Sequence, residues 1–275
     1  MNVVWAVLVV LAVTAPAVAV MLFVRRRAPV GSHFSDGDRA AGVFGVLATG
    51  FSVLLGFVVF LAFESYDQSR SGAEKEAIVL AQQVETAQLF AQPAADELTA
   101  ELVCYGRSVV GIEWPQAEAG TQTDEINPWG AELFRTLQAV EPQTASQQSA
   151  YDKWLDQRFD REAARSDRIH GAVGVVPTPL WVVLIFISIV IFVFMLFFAD
   201  PGEGPITQAV LMGSVVSVIV VMLLLINFLN SPFHHGIGGV RPVAMERTLS
   251  TIDRELLTAG GALTLPCDDE GNTAP

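Results

Sequence analysis

The sequence predicts an all-α integral membrane protein with four membrane-spanning helices and a helical domain outside the bilayer. The chain of 275 residues is 52% hydrophobic and only 16% charged, which is too apolar for a soluble domain of this length. A membrane-spanning helix needs about 20 consecutive apolar residues. Four segments without Asp, Glu, Lys or Arg are long enough: 3–24, 43–63, 180–198 and 207–229.

The first span could instead be a cleaved signal peptide, because Ala17, Val18 and Ala19 resemble a cleavage site. A signal peptide carries a basic residue before its apolar core, and no basic residue precedes Val3. The apolar run also continues past the candidate site to Val24. The segment is therefore interpreted as a membrane span.

Basic residues predict which loops face the cytoplasm. The loop between the first two spans has four arginines and two aspartates, so it is predicted to be cytoplasmic and the N-terminus extracytoplasmic. Segment 64–179 has nineteen acidic and nine basic residues, and the tail 230–275 has six and three. Both are predicted to be extracytoplasmic. Loop 199–206, with two acidic residues, decides nothing. The net charge of −13 argues against nucleic-acid binding.

The two cysteines, Cys104 and Cys267, both fall in segments that are predicted to be outside. An oxidising compartment would allow a disulfide between them. Two unpaired, small hydrophobic side chains are the alternative, because the sequence does not show that these two positions meet.

The predicted domain order is two spans in 1–63, an acidic helical domain in 64–179, two spans in 180–229 and a tail in 230–275. The second span continues without proline to Pro93, which predicts one helix over 43–91. A helix is predicted over 94–111, and Pro115 is expected to prevent it from continuing. Another, over 145–170, carries Tyr151, Leu155 and Phe159 at four-residue spacing with Trp154 beside them, which predicts its apolar side. Shorter helices are predicted over 129–140 and 243–258, and a disordered end over 268–275.

The second span has a side of small residues and a side of bulky ones when it is wound as a helix. The small side consists of Gly42, Gly45, Thr49, Ser52 and Gly56. At its edge lie Val53, Phe57 and Phe60, and Glu64 continues this edge outward. One interpretation is helix packing inside one subunit. The other is a pore lined by Thr49, Val53, Phe57, Phe60 and Glu64 in a ring of subunits, with an apolar constriction.

Several functional classes lack the residues they need. No span contains an ionisable side chain, which argues against a proton relay or an ion-coupled transporter. No hydrolase, metalloprotease, nucleotide-binding or redox motif is present, so an enzyme, a cofactor and a metal are not expected. His234 and His235 form the one histidine pair, and without neighbouring Cys or acidic ligands it is interpreted as a solvated turn.

Three sequence motifs resemble the bacterial bestrophin-like domain family, which has four predicted spans and no assigned function. They are ESYDQSRSGAEKEAIVL at 64–80, YGRSVVGIEWP at 105–115 and LNSPFHHGIGGVRPVAMERTL at 229–249. More distantly, SVLLGFVVFLAFESYDQ at 52–68 is similar to the second helix of the bestrophins, which are pentameric anion channels.

The resemblance implies a bestrophin-like fold and a homo-oligomer, with five subunits expected. It also implies that Thr49, Val53 and Phe57 occupy the positions of the bestrophin hydrophobic neck, and that Gly56 matches the glycine before the last of them. Val53 stands where the channels have an aromatic residue. In bestrophins the large helical part is cytosolic, whereas the arginine-rich loop predicts the opposite placement here.

The predicted function is an oligomeric membrane protein with an ion-conducting pore lined by its second span. The acidic outer face fits a cation path better than an anion path, although salt screens its charges beyond about 8–10 Å. The alternative is a non-conducting scaffold or an accessory subunit of a larger cell-envelope complex. The expected partners are the lipid bilayer, copies of the same chain, ions if it conducts, and such a complex in the alternative case.

Overall fold

The computed structural model describes residues 3–31, 33–121, 127–258 and 263–273. In these segments the protein is all-α, as predicted, and its extended structure is one β-bridge between Cys267 and Thr273. The helices are α1 (Val3–Arg25), α2 (Gly37–Ala87), α3 (Ala94–Ser108), a π-helical turn (Val109–Glu113), α4 (Trp114–Glu118), α5 (Pro128–Ala139), α6 (Ala145–His170), α7 (Thr178–Phe197), α8 (Pro205–Leu229) and α9 (Val243–Thr258).

Among the described residues, four helices, α1, α2, α7 and α8, are long and apolar enough to cross a membrane. They contain the four predicted spans except Phe198, which follows the last residue of α7, so the prediction of four membrane helices is confirmed. The second span is the first half of a 51-residue helix that continues past the apolar segment without interruption. It ends at Ala87, four residues earlier than predicted.

The chain divides into two compact units, 1–65 with 175–230 and 66–174 with 231–275. In the first unit, α1 packs along α8. A Cβ on Gly213 would lie 3.4 Å from a methyl carbon of Val18, and the hydroxyls of Thr14 and Ser217 are 3.1 Å apart. Small and hydroxyl residues thus let these two helices approach closely, as is common for helices in membranes.

The two short loops of the first unit are joined by hydrogen bonds. The Arg25 guanidinium donates to the backbone carbonyls of Pro201, at 3.0 Å, and Glu203. The backbone N–H of Gly31 donates to the Asp200 carboxylate at 3.1 Å. Loop 199–206 therefore lies at the same end of the unit as the arginine-rich loop, as four successive spans require.

The second unit has a larger apolar core. It is built where residues 66–87 of α2, called its outer half, meet α3, α5, α6 and α9. Fully or almost fully buried members of this core are Leu80, Val84, Leu98, Leu102, Leu133, Leu137, Trp154 and Ile252. Each large aliphatic or aromatic side chain that is removed from water here contributes about 1.5–3 kcal/mol to stability. The predicted helix boundaries at 145–170 and 243–258 match α6 and α9.

The predicted buried stripe of α6 is partly wrong. Phe159 is 64% exposed, whereas Trp154, Arg161 and Arg168 are buried. Tyr151 and Leu155 pack against the core beside Trp154, whereas further along the helix Arg161 and Arg168 point inward because the core contains polar and charged partners for them. The hydrophobic stripe therefore identified the inward face in the first half of α6 but not at Phe159.

Pro115 does not end the helical segment that begins at Ala94, so the prediction that it does is wrong. The chain passes through the π-helical turn, in which the Trp114 N–H donates to the carbonyl of Val109, five residues back, and then enters α4. A proline in an α-helix clashes with the carbonyl four residues earlier. The wider turn immediately before Pro115 provides a place for a proline inside a continuous helical segment.

The predicted disorder of the C-terminal end is wrong for residues 268–273, and 274–275 lie outside the described residues. Of the two alternatives for the cysteines, the structure has the disulfide between Cys104 and Cys267. The indole N–H of Trp129 donates to the carbonyl of Gly271 at 2.7 Å. Gly271 has a φ of 87° and touches the backbone of Ser108, which a side chain would prevent.

Candidate functional site

The part of α2 up to the end of the second apolar segment, residues 37–63, is called its membrane half. One face of this half is covered by other residues of the same chain. Phe51, Leu55, Val58 and Ala62 are all less than 9% exposed. They recur at intervals of three and four residues, so they form one stripe along the helix. Phe51, Leu55 and Val58 belong to the predicted bulky side, so this part of it packs within the subunit.

The predicted small side is open. Gly42, Gly45, Thr49, Ser52 and Gly56 are all exposed. A Cβ added at any of the three glycines would have no described neighbour within 4 Å. Packing of this side inside one subunit, the first of the two interpretations, is therefore not found among the described residues.

Three large apolar side chains stand at the edge of this open side. Val53, Phe57 and Phe60 are 69%, 61% and 59% exposed, and Thr49 and Glu64 extend the same edge at its two ends. At about 1.5 Å per residue, Val53 and Phe60 are separated by roughly 10 Å along the helix. An apolar band of this size needs a cover of lipid or of another protein surface.

The outer half of α2 carries a buried charge cluster that the sequence analysis missed. Glu76 and Arg168 are both fully buried, and the Nε of Arg168 lies 2.5 Å from a carboxylate oxygen of Glu76. The Tyr105 hydroxyl donates to the other carboxylate oxygen of Glu76 at 2.6 Å. Arg168 also pairs with Glu113 at 2.5 Å, and Arg165 pairs with Glu113 at 3.2 Å.

A second polar contact lies beside this cluster. The guanidinium of Arg161 donates to the side-chain oxygen of Gln83 at 2.6 Å and lies over the Tyr105 ring at 4.6 Å. Glu76 and Gln83 are seven residues apart on α2, and Arg161 and Arg168 are seven apart on α6. Two antiparallel helices bring such pairs together, and a charge on the apolar face of each helix is the signal that could have identified them.

Burial and charge act in opposite directions on the titration of this cluster. Burial raises the pKa of Glu113, but Arg168 and Arg165 outweigh it, so this pKa lies below its ordinary value. Burial lowers the pKa of Arg168, and Glu76 and Glu113 more than offset that effect, so it stays protonated. Burial and the charge of Glu76 raise the pKa of Tyr105, which keeps the hydroxyl as a hydrogen-bond donor. At neutral pH, Arg168 and Glu113 are therefore both charged and tie the cluster together.

The described residues offer no metal site, since they contain no group of three or more His, Cys, Asp or Glu side chains that could hold an ion. His235 lies 3.3 Å from the Glu118 carboxylate, and its side chain is 82% exposed. His235 therefore lies on the surface of a turn, whereas both ring nitrogens of His234 are buried, so the interpretation as a solvated turn holds for His235 alone.

A sequence profile of the Bestrophin-like domain matches residues 11–245. The chain belongs to the bestrophin-like family. This confirms the resemblance drawn from the three motifs.

Solved structures of bestrophin homologues have the same fold. One, of a bacterial bestrophin homologue from Klebsiella pneumoniae determined by Zn-SAD phasing, is 13% identical and has a TM-score of 0.60. The alignment covers 95% of this chain and 100% of the homologue. A mutant of a bacterial bestrophin homologue from Klebsiella pneumoniae is 14% identical, has a TM-score of 0.59 and covers 95% and 100%. No curated protein matches the sequence. At these identities the likeness shows the fold of this bestrophin-like protein and no more.

Proposed function

We propose that this bestrophin-like protein assembles into a closed ring, with five subunits, around an ion-conducting pore lined by α2. Val53, Phe57 and Phe60 form stacked apolar rings in it, with Thr49 on one side and Glu64 at the outer mouth. A ring of identical subunits about an axis normal to the membrane is the simplest way for one chain to enclose a pore. Apolar constrictions of this kind gate ion flow by dewetting.

The carrying observation is the contrast between the two sides of α2 in the membrane half. Phe51 is 5% exposed and packs within its chain, whereas Phe57 is 61% exposed and lies on the side of the small residues. Small residues allow other helices to approach closely, so this side suits contacts between subunits near an axis. Gly42, Gly45, Ser52 and Gly56 then pack between subunits.

The disulfide supports the proposed orientation. Disulfides persist in oxidising compartments and are rare in the bacterial and eukaryotic cytosol. Cys104 and Cys267 are bonded in the unit 66–174 with 231–275, which supports a location of this unit outside the cytoplasm. The arginine-rich loop, an independent criterion, leads to the same orientation.

A labelling experiment tests the orientation. Ser146→Cys places a thiol on the exposed start of α6, and Val30→Cys places one in the arginine-rich loop. A membrane-impermeant maleimide should label the first in intact cells and the second only after lysis. The reverse pattern would show that the unit of residues 66–174 and 231–275 is cytoplasmic.

The paired measurement of subunit number and ion flux on Phe57→Ser tests the pore. A polar side chain in the apolar band should increase the flux into proteoliposomes strongly while the ring stays intact. Phe51→Ser is the matched control: it should destabilise the subunit by about 3–5 kcal/mol because it leaves a cavity with a buried hydroxyl. It should not change the flux per assembled ring.

Glu64→Gln tests the preference for cations that the acidic outer face predicts. Glu64 is exposed at the outer mouth, where water screens its charge. The replacement should therefore reduce cation preference only mildly. A pore that prefers anions in the wild type and is unaffected by this change would reject the cation path.

The alternative function is a non-conducting scaffold or accessory subunit, in which the open side of α2 binds another membrane protein. Silent liposomes, together with a partner that co-purifies at a fixed ratio and is lost in Phe57→Ser, would establish it. An intact ring with unchanged flux in Phe57→Ser would reject the proposed constriction.

A further inference from the structure

Three arginines line one pocket of about 480 Å³ in the second unit. Arg70 comes from α2, Arg241 from the loop before α9, and Arg247 from the first turns of α9. All three side chains are exposed. Glu74 also lines the pocket, so three positive charges face one negative charge. A basic pocket is unexpected in a chain with a net charge of −13.

Two of these arginines have no counter-ion in the part of the chain that the structure describes. Among the described residues, the side chains of Arg241 and Arg247 make no ion pair or hydrogen bond. Arg70 is paired with Glu74 at 3.3 Å, and both of these side chains are more than half exposed. An exposed pair of this kind contributes about 0–1 kcal/mol, so a stronger anion can replace the glutamate.

The backbone of the pocket is also suited to an anion. Val243 and Ala244, at the start of α9, line it. The first N–H groups of a helix have no acceptor within the helix, and the helix dipole favours negative charge there. The loop is held in place, because the Tyr66 hydroxyl donates to the carbonyl of Gly238 at 2.5 Å and the Val240 N–H donates to the carbonyl of Pro232 at 2.8 Å.

Guanidinium groups bind phosphate oxygens by paired, charge-assisted hydrogen bonds. We propose that this pocket binds a phosphate group, and the geometry of α2 points to an anionic phospholipid as its carrier. Tyr66 and Arg70 are three and seven residues beyond Phe63, the last residue of the second apolar segment. At about 1.5 Å per residue they lie about 4.5 and 10 Å further along the helix. The polar layer on each side of the hydrocarbon is roughly 5–8 Å thick.

Native mass spectrometry of the full chain in detergent tests the proposal with three ligands. Phosphatidylglycerol carries a net negative charge, phosphatidylcholine carries phosphate without one, and inorganic phosphate has no lipid anchor. The wild type should bind phosphatidylglycerol about tenfold more tightly than phosphatidylcholine, since the latter's ammonium group opposes the arginines. Binding of inorganic phosphate with no preference for phosphatidylglycerol would identify a soluble phosphate as the carrier and would also support the site.

Variants locate the binding. The double replacement Arg241→Gln with Arg247→Gln should weaken phosphatidylglycerol binding about tenfold or more. Arg254→Gln, which removes one positive charge two turns beyond Arg247 on α9 and outside the pocket, should leave the binding unchanged. Glu74→Gln should tighten it, because it releases Arg70 and removes the negative charge. All four positions are exposed, so unchanged subunit number and thermal unfolding are expected in each variant.

Two results would overturn the proposal. One is wild-type protein that binds neither phosphatidylglycerol nor inorganic phosphate. The other is equal binding by the wild type and the double arginine variant, since binding would then lie elsewhere on the chain. Because Glu74→Gln gains affinity if the proposal is right, a loss of folding cannot imitate its expected result.

Discussion

The two halves of α2 use glycine in different ways. In the membrane half, a Cβ on Gly42, Gly45 or Gly56 would meet no described atom within 4 Å. In the outer half, a Cβ on Gly72 would touch the backbone of α6, with the carbonyl oxygen of Ala164 at 2.8 Å. The outer glycine is therefore already used within the subunit. The membrane glycines leave a surface on which the proposed assembly depends.

Charge distinguishes the two halves as well. The membrane half has no ionisable side chain between residues 43 and 63, where an unpaired charge would face hydrocarbon at a high cost. The outer half buries Glu76 because α6 supplies Arg168 and α3 supplies Tyr105. The difference shows that a buried charge depends on the partner that another helix brings, and not on the local sequence.

The largest expected effect is the loss of the buried ion pair. Arg168→Met should destabilise the second unit by about 3–5 kcal/mol, because it leaves the Glu76 carboxylate buried without its cation. Thermal or chemical unfolding of the full chain in detergent measures this. Lys75→Met is the matched control, since Lys75 and Asp160 also join α2 to α6 but are each about half exposed. It should change stability by less than about 1 kcal/mol, and an equal loss in both would contradict the distinction.

The next effect concerns the close approach of two helices. Gly72→Ala should destabilise the protein by about 1–3 kcal/mol, because its methyl group has to displace the backbone of α6 near Ala164 and Arg168. The same unfolding measurement applies. Unchanged stability would show that α2 and α6 can separate without loss, and the contrast between the two halves would then fail.

A pH-dependent effect follows from Glu113. Its pKa is below the ordinary 4.5, so the stability it contributes is fully present above that pH and is lost as the pH falls through the lower, folded-state pKa. Glu113→Gln should therefore reduce stability at neutral pH and flatten the decrease below about pH 4.5. Unfolding curves of both proteins from about pH 3 to 7 test this. Parallel curves would show that Glu113 is not the group involved.

The smallest effect on the subunit is expected in the membrane half. Gly56→Ala meets no described atom, and alanine favours a helix over glycine by about 1 kcal/mol, so the stability of the folded subunit should stay the same or rise slightly. If subunits pack on this side, the ring should weaken although the subunit does not. Unfolding measured together with the subunit number separates these two results. A destabilised subunit with an intact ring would show that Gly56 has a role inside the chain.

The sequence alone determined the class of the protein and most of its helices. Apolar runs without charge identify spans because hydrocarbon tolerates little else, and helix formers that are bounded by Pro or Gly located α6 and α9 correctly. Three separated motifs identified the family. These features depend on residues that are near one another in the chain, so they can be read without knowing the fold.

The tertiary structure decided which sides of the helices face inward and which distant residues meet. Phe159 reads as core by its spacing and is exposed, because the arginines of α6 have partners on α2 and in the π-helical turn. The tail reads as disordered by composition and is held by Cys104, Trp129 and Arg107. Each of these outcomes depends on contacts between residues far apart in the chain, and local pattern has no information about such contacts.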